Sequence, residues 1–429
     1  MLSIQSDNPN YLAKVITAKN VRKHPNADRL QILTCDFQNV ITGSDTQEGD
    51  VLVFFPLECK INENFLSATN SFRHTEKNVD AEQVGFFEDN CRVRAVKLRN
   101  EKSMGYVVPA KHVEEFADVS DLSQYVGQEF DTINGILLCE KYFVPVKNPQ
   151  YLREGKKARE SRILDQWFKF HISTEQLRKN MEKIKPEDEI SITYKLHGTS
   201  AIIANIPVKR KLSFMERMLK RLGFSILETE YDYVYASRKV IKNKDMVDKE
   251  HNSFYDSDIW GTAKDELKEM IPKGYTFYSE IVGYLPSGSP IQGGYDYGCN
   301  VGEHSVYVYR ITVTNEDGVV HDLSTSEIRE LSERLGFSYV HHFYSGKAKN
   351  LFPELDLENH WHEEFLKKLE ETYCEKNCFM CKNVAPEEGI VLRRESGVQF
   401  EAYKLKSWRF MEKETEMLDK GESDIESEN

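Results

Sequence analysis

No stretch of this 429-residue sequence stays apolar long enough to cross a bilayer as a helix; such a span needs about 20 consecutive apolar residues. The best run, VLVFFPL at 51–57, is far too short. No membrane partner is expected. The opening MLSIQSDNPNYLAK lacks the basic and apolar blocks of an export signal. A cytoplasmic or other intracellular compartment is therefore expected. Cysteine is sparse at eight residues, and in a large intracellular chain the five scattered ones, Cys35, Cys59, Cys91, Cys139 and Cys299, are expected to be reduced thiols. No fixed-period repeat is visible, which sets aside solenoid architectures. Positive charge is not in excess either. The net charge is -13, which argues at first against a polyanionic partner.

That deficit is uneven. Residues 411–429 hold eight acidic residues against two lysines and alone supply -6. Basic residues gather elsewhere: Arg153, Lys156, Lys157, Arg159 and Arg162 form one group, and Lys209, Arg210, Lys211, Arg217, Lys220 and Arg221 another. Each group could contact phosphates or simply face water.

Short apolar runs alternate with turn residues over the first third: LAKVITA, RLQILTCDF, VLVFFPL, CRVRAVKL and MGYVVPA. This pattern predicts a small β-rich unit over 1–150. A polar stretch at 147–162 reads as a linker. DQWFKFHISTEQLRKNMEKI has helical spacing. Strands resume in EISITYKLHGTSAIIANIPV, YDYVYASRKV, YTFYSEIVGYL, HSVYVYRITV, EGIVLRRE and FEAYKLK, with helices such as SEIRELSERLGF between them. KRKLSFMERMLKRLGF reads as a basic amphipathic helix inserted between two strands. The expected class is α+β, with mainly antiparallel sheets over 155–410 and an acidic disordered tail over 411–429.

Several short elements recur in a definite order. Lys195-Leu196-His197-Gly198 closes an apolar strand. Ser237-Arg238-Lys239 ends the next strand pattern. Glu280 lies in a strand that runs into a glycine turn. Tyr307 and Tyr309 share a strand, and side chains two apart point to one face. Glu387-Glu388-Gly389-Ile390-Val391 and Lys404-Leu405-Lys406 complete the series. The set resembles the covalent nucleotidyltransferases, which comprise ATP-dependent DNA ligases, RNA ligases and capping enzymes. The resemblance covers roughly 160–410. The histidine before the glycine resembles the RNA-ligase form.

The resemblance implies a reaction. The Lys195 amine would attack the α-phosphorus of ATP, forming lysyl-AMP and releasing pyrophosphate. A free lysine has a pKa of about 10.4 and is a poor nucleophile at neutral pH. Nearby cations disfavour its ammonium form. Lys404 and Lys406 would serve that purpose and hold the phosphates. Glu388 would hold Mg2+ or Mn2+, since hard cations choose carboxylate oxygens. Glu280 would accept a hydrogen bond from the ribose. Arg238 would contact ribose or phosphate. Tyr309, or Tyr307, would stack on the base. Gly198 would let the chain approach the nucleotide. His197 would orient phosphate or metal, or else pack beneath the loop. Relatives often have glutamate immediately before the lysine, whereas this chain has Tyr194.

The N-terminal unit holds His24-Pro25-Asn26-Ala27-Asp28-Arg29-Leu30, then Gly43, Gly49-Asp50-Val51-Leu52-Val53, Lys97-Leu98-Arg99 and Ser103-Met104-Gly105. These are similar to the OB-type tRNA-binding domain attached to some aminoacyl-tRNA synthetases. OB barrels bind single strands through a basic groove. Arg92, Arg94, Lys97 and Arg99 would supply part of one, unless the string only shapes a turn. Such a unit ahead of the transferase resembles the Deinococcus-type RNA ligases. The implied partner is RNA, as a nicked duplex or as ends, and the expected state is a monomer.

Cys374, Cys378 and Cys381 could hold a structural Zn2+ with a fourth ligand from His360, His362 or Cys299, or could be plain thiols. Three functions fit: an RNA ligase, a capping-type guanylyltransferase, or a tRNA-binding protein with an inactive transferase domain. The ligase is favoured.

Overall fold

The computed structural model describes residues 1–144, 162–243, 255, 257–395 and 399–421. The basic positions Arg153, Lys156, Lys157 and Arg159 and the final residues 422–429 lie outside the described residues, as does nearly all of the expected linker.

Alternating apolar residues turn one face of each N-terminal strand inward. Tyr106–Pro109, Val51–Phe55, Ala13–Thr17 and Glu129–Phe130 form a four-stranded antiparallel sheet in that order. Val15, Val53, Phe55 and Val108 from it meet Phe65, Phe72 and Phe130 in one core. Arg22–Lys23, Leu30–Cys35 and Gln38–Gly43 form a separate three-stranded sheet. Among the described residues these ladders do not close into a barrel. The run CRVRAVKL pairs as a strand only over Val96–Leu98. The reason is Arg92, which turns inward. Its guanidinium donates to both Glu58 oxygens at 2.9 and 2.8 Å and to the Thr415 carbonyl at 3.1 Å, and its side chain is wholly buried.

The rest of the chain makes two five-stranded sheets. The first runs Glu175–Gln176, Glu401–Lys406, Gly389–Arg394, Glu189–Lys195, His342–Lys347. The second runs Thr229–Ala236, Thr199–Lys209, Tyr275–Gly283, His304–Thr314, Val320–Asp322. Thr199–Lys209 is buried on both sides. Ala201 and Ile203 face one core, while Ile202, Ala204 and Ile206 face another, as the two-residue strand period dictates. The chain passes from the first sheet to the second through Leu196, His197 and Gly198, so the lysine motif sits on the seam between them.

Helices begin where capping chemistry allows. Ser324 with Glu327 and Ser213 with Glu216 form capping boxes ahead of Thr325–Leu335 and Phe214–Arg221. Two expectations need correction. DQWFKFHISTEQLRKNMEKI is mostly not helical; only Leu177–Asn180 forms an α-turn, followed by a 3-10 turn. Phe168 instead packs under the second sheet, and the Tyr278 hydroxyl donates to the Lys169 carbonyl at 3.0 Å, so tertiary contacts override the local period. The acidic tail does not start at 411. Trp408–Asp419 is a helix capped by Ser407, with Trp408, Phe410, Met411 and Thr415 buried. Its apolar stripe at helical spacing docks against Ala95, Leu57 and Met104 of the N-terminal unit.

This helix and Arg92 tie the two parts together. Removing one partner from a buried charge network strands the others, at a cost of about 3–5 kcal/mol. Arg92→Met is therefore expected to lower the unfolding free energy from urea titration by roughly that amount, and with it the midpoint, whereas Lys97→Met at an exposed site is expected to change it by less than about 0.5 kcal/mol. Equal midpoints for the two variants would contradict the tie.

Candidate active site

Lys195 is the last residue of its strand. It stands opposite Gly389, which in turn stands opposite Lys406, so the two lysines flank a glycine across three strands. Only glycine fits between them. Gly389 has φ +138°, and a Cβ there would lie 2.0 Å from the Leu405 carbonyl oxygen. Lys404, two residues before Lys406, projects from the same face.

The Lys195 ammonium lies 2.7 Å from Glu388 Oε1, and Glu388 is only 2% exposed. Lys406 reaches the same oxygen at 3.9 Å and is clasped by Glu414 at 2.7 and 3.0 Å. Burial works against the Lys406 charge, but the Glu414 and Glu388 carboxylates outweigh it and hold the ammonium pKa above its ordinary value. Among the described residues, buried Glu388 Oε2 has no hydrogen-bond partner. Backbone contacts fix this corner: the Ser407 N–H donates to the Glu388 carbonyl at 2.9 Å, and the Ser407 hydroxyl donates to the Glu387 carbonyl at 2.7 Å.

The seam loop is held equally closely. The Gly198 N–H donates to Glu280 Oε1 at 3.0 Å, and the Gln292 amide donates to the Gly198 carbonyl at 2.8 Å. A Cβ on Gly198 would lie 2.2 Å from the Ile281 carbonyl. The His197 N–H donates to the Tyr297 hydroxyl oxygen at 2.7 Å. Its ring packs edge-on against Tyr295 and Phe410.

One cleft brings together Lys195, Arg238, Glu280, Tyr309, Lys404 and Lys406. Arg238 donates to Ser173 at 3.1 Å at its edge. Tyr309 is distinguished from Tyr307 by a bulge. The register between Tyr275–Gly283 and His304–Thr314 slips so that Tyr278 faces Arg310 and Ser279 faces Val308, leaving Tyr309 as the extra residue. Bulges re-aim side chains. Both tyrosines pack on the core beneath the seam, but only Tyr309 also lines the cleft, beside Ser200 and His171. The sequence reading did not single out Glu414, Glu58, Tyr11, His171, Ser173 or Phe400, which also line the cleft. Charge and aromaticity were visible at those positions, but no local spacing ties them to the lysine motif.

Two groups of expected residues do not assemble. Cys374 is buried in the core of the first sheet, whereas Cys378 and Cys381 lie under Tyr194 and Tyr297. Among the described residues no group of three metal-ligating side chains forms, so the zinc expectation is corrected. His362 bonds the Ile184 carbonyl at 3.0 Å, and Cys299 approaches Ser305. Cys378 and Cys381 instead pair with each other, and that hydrogen bond holds the Cys378 thiol below its ordinary value. The expected basic groove also disperses. Arg92 is buried, as described above. Arg94 is drawn to Glu88 and Asp419. Arg99 donates to the Asn26 carbonyl at 2.9 Å. Lys97 stays exposed. The His24 string forms a turn fastened to this segment, with its buried imidazole bonded to the Leu98 carbonyl and the Asn26 N–H.

A family model described as RNA ligase matches residues 188–408, slightly more than half of the chain. The chain belongs to the RNA ligase family. No curated protein matches it. Among solved structures, a variant of the Naegleria gruberi RNA ligase with AMP and manganese superposes at TM-score 0.58 with 16% identity, covering 94% of this chain and 98% of that one. A second variant of that ligase, with ATP and manganese, gives 0.58 at 15% identity, covering 95% and 99%. The same ligase with pyrophosphate gives 0.57 at 16%, again covering 95% and 99%. At these identities the likeness establishes a shared fold, mixed α and β with antiparallel sheets.

Glu387, next to Glu388, provides a pH test of this corner. Burial pushes its carboxyl up to about 7 from an ordinary 4.5. The folded protein then binds a proton that the unfolded chain has released, so stability from this group is full below about 4.5 and is lost as pH rises through about 7. Glu387→Gln keeps an acceptor for the Lys376 N–H, which Glu387 now meets at 2.7 Å. The variant is expected to gain about 1–3 kcal/mol on wild type between pH 5 and pH 8, read as the change in their difference in unfolding free energy. A constant difference across that range would refute the buried-carboxyl account.

Proposed function

We propose that this chain is an ATP-dependent RNA ligase that works through lysyl-AMP at Lys195. The observation behind the proposal is that Lys195 meets the buried Glu388 at 2.7 Å and lines a cleft with Arg238, Glu280, Tyr309, Lys404 and Lys406. Structural neighbours solved with ATP, AMP and pyrophosphate support the choice of nucleotide.

The chemistry follows from the residues. An amine attacks phosphorus only when its lone pair is free. Lys195 rests against Glu388, so that pair must part before attack. Glu388 suits a second partner, because its buried Oε2 has no hydrogen bond among the described residues and a hard cation prefers carboxylate oxygen. Mg2+ or Mn2+ bound there would screen phosphate charge. Lys404 and Lys406 line the cleft where the β- and γ-phosphates would extend, and they stabilise the negative charge that builds on them. The Lys195 nitrogen–phosphorus bond forms as the bond from the α-phosphorus to the pyrophosphate oxygen breaks. Tyr309 stacks on the base, and Glu280 and Arg238 hold the ribose side. AMP then passes to an RNA 5′-phosphate, and a 3′-hydroxyl displaces it to seal the strand.

The N-terminal unit, 1–150, is proposed as an OB-type RNA-contacting element of the Deinococcus-type arrangement. Its antiparallel β character supports this reading, as does its reach into the cleft through Tyr11, Glu58, Lys141 and Tyr142.

The deciding experiment is incubation with α-labelled ATP or GTP and a divalent cation, followed by denaturing electrophoresis. Label from ATP on wild type is expected, with a loss of more than about 100-fold in Lys195→Ala. Label from GTP would move the reading to capping chemistry. Folded protein that takes label from neither, yet binds RNA, would leave a binding protein with an inactive transferase domain.

A further inference from the structure

The connection between Thr199–Lys209 and Thr229–Ala236 contains a structure that the ligation chemistry does not use. None of its residues lines the catalytic cleft. It contains the helix Phe214–Arg221, which buries no residue against the rest of the chain. Soluble helices normally turn their apolar face to a core. Here that face is open: Phe214 is 77% exposed, Met215 67% and Met218 49%, and Leu222, Phe224 and Leu227 continue the set. At 100° per residue, Phe214, Met218, Leu222, Met215 and Leu219 fall on one arc of the helix. Arg217, Lys220 and Arg221 fall on the other side.

The charge here is opposite to that of the chain. The segment 209–228 has six basic residues against two acidic ones, within a protein of net charge -13. The acids are engaged locally: Glu216 is clasped by Arg210 and Glu228 by Lys220, each at 2.6 Å. A cationic flank beside bulky Phe, Met and Leu side chains has the composition of a helix that lies in a membrane interface. The apolar arc enters the headgroup–acyl boundary while Lys and Arg reach back to lipid phosphates. RNA would account for the cations but not for the exposed apolar arc. The apolar set also runs past the helix end into the following turn, to Phe224 and Leu227, which suits a broad planar surface better than a helix-shaped groove on a protein.

We propose that Phe214–Arg221 and the turn after it dock the chain onto an anionic phospholipid surface. The chain lies on the bilayer there and does not span it; no described helix is long and apolar enough to cross. Because the segment joins an edge strand of the second sheet to its neighbour, docking leaves the cleft free.

The test is co-sedimentation of the full chain with phosphatidylcholine–phosphatidylserine vesicles and with phosphatidylcholine alone. Binding to the anionic vesicles is expected to weaken as salt rises, and to fall at least about tenfold in Met218→Glu/Leu222→Glu and in Arg217→Glu/Arg221→Glu. Self-adenylylation should stay at the wild-type level in both variants, which also shows that they are folded. The proposal fails if wild type stays in the supernatant with anionic vesicles, or if the apolar variant sediments as well as wild type. It also fails if the arginine variant loses affinity for an RNA oligonucleotide while vesicle binding is unchanged, since the face would then be a nucleic-acid surface.

Discussion

A chain of four alternating charges runs through the centre of this molecule: Lys195, Glu388, Lys406, Glu414. Buried charges persist only when each has a counter-charge at hand. That requirement fixes the surroundings. Glu388 is buried because Ser407 holds its backbone, and Ser407 is also the cap of the helix that supplies Glu414. Lys195 and Lys406 reach the same carboxylate because glycine at 389 lets three strands meet without a side chain between them. The seam between the sheets, the capped helix and the glycine are three parts of one electrostatic solution.

The two sheets divide the labour. The first presents the lysines on one face. The second presents Glu280 and Tyr309, and the short loop through His197 and Gly198 joins them. Preorganisation of this kind has a plain physical value, because groups already placed need not be ordered during reaction. The loop's backbone groups bond to Glu280, Gln292 and Tyr297, so it is one of the most constrained stretches of the site.

Much of this could be read in the sequence, for a definite reason. Strand alternation and helical spacing are local signals, and they located the strands that end in Lys195 and Lys406 and the helix Thr325–Leu335. Motif spacing likewise singled out six residues that share the cleft. The failures all involve long-range pairing. Arg92 looked like a surface cation because nothing near it in sequence shows that Glu58 and Asp419 will surround it. The helix Trp408–Asp419 looked like an acidic tail because its composition outweighed a short apolar stripe. Tyr307 and Tyr309 could not be separated because both pack on the same core and only the assembled cleft takes one of them. The cysteines had the right spacing, but Cys374 ends a helix whose face belongs to a different core.

The helix Trp408–Asp419 has one further consequence. Glu414 on it grips Lys406, while its neighbour Thr415 and, a turn further on, Asp419 grip Arg92 of the N-terminal unit. A rigid rod that holds both ends at once makes their free energies interdependent. Whatever draws Lys406 away from Glu414 changes the footing of the N-terminal unit, and whatever loads that unit changes, by the same amount, how readily Lys406 lets go. The cleft and the N-terminal unit thus share a single lever, and thermodynamics requires that it act in both directions.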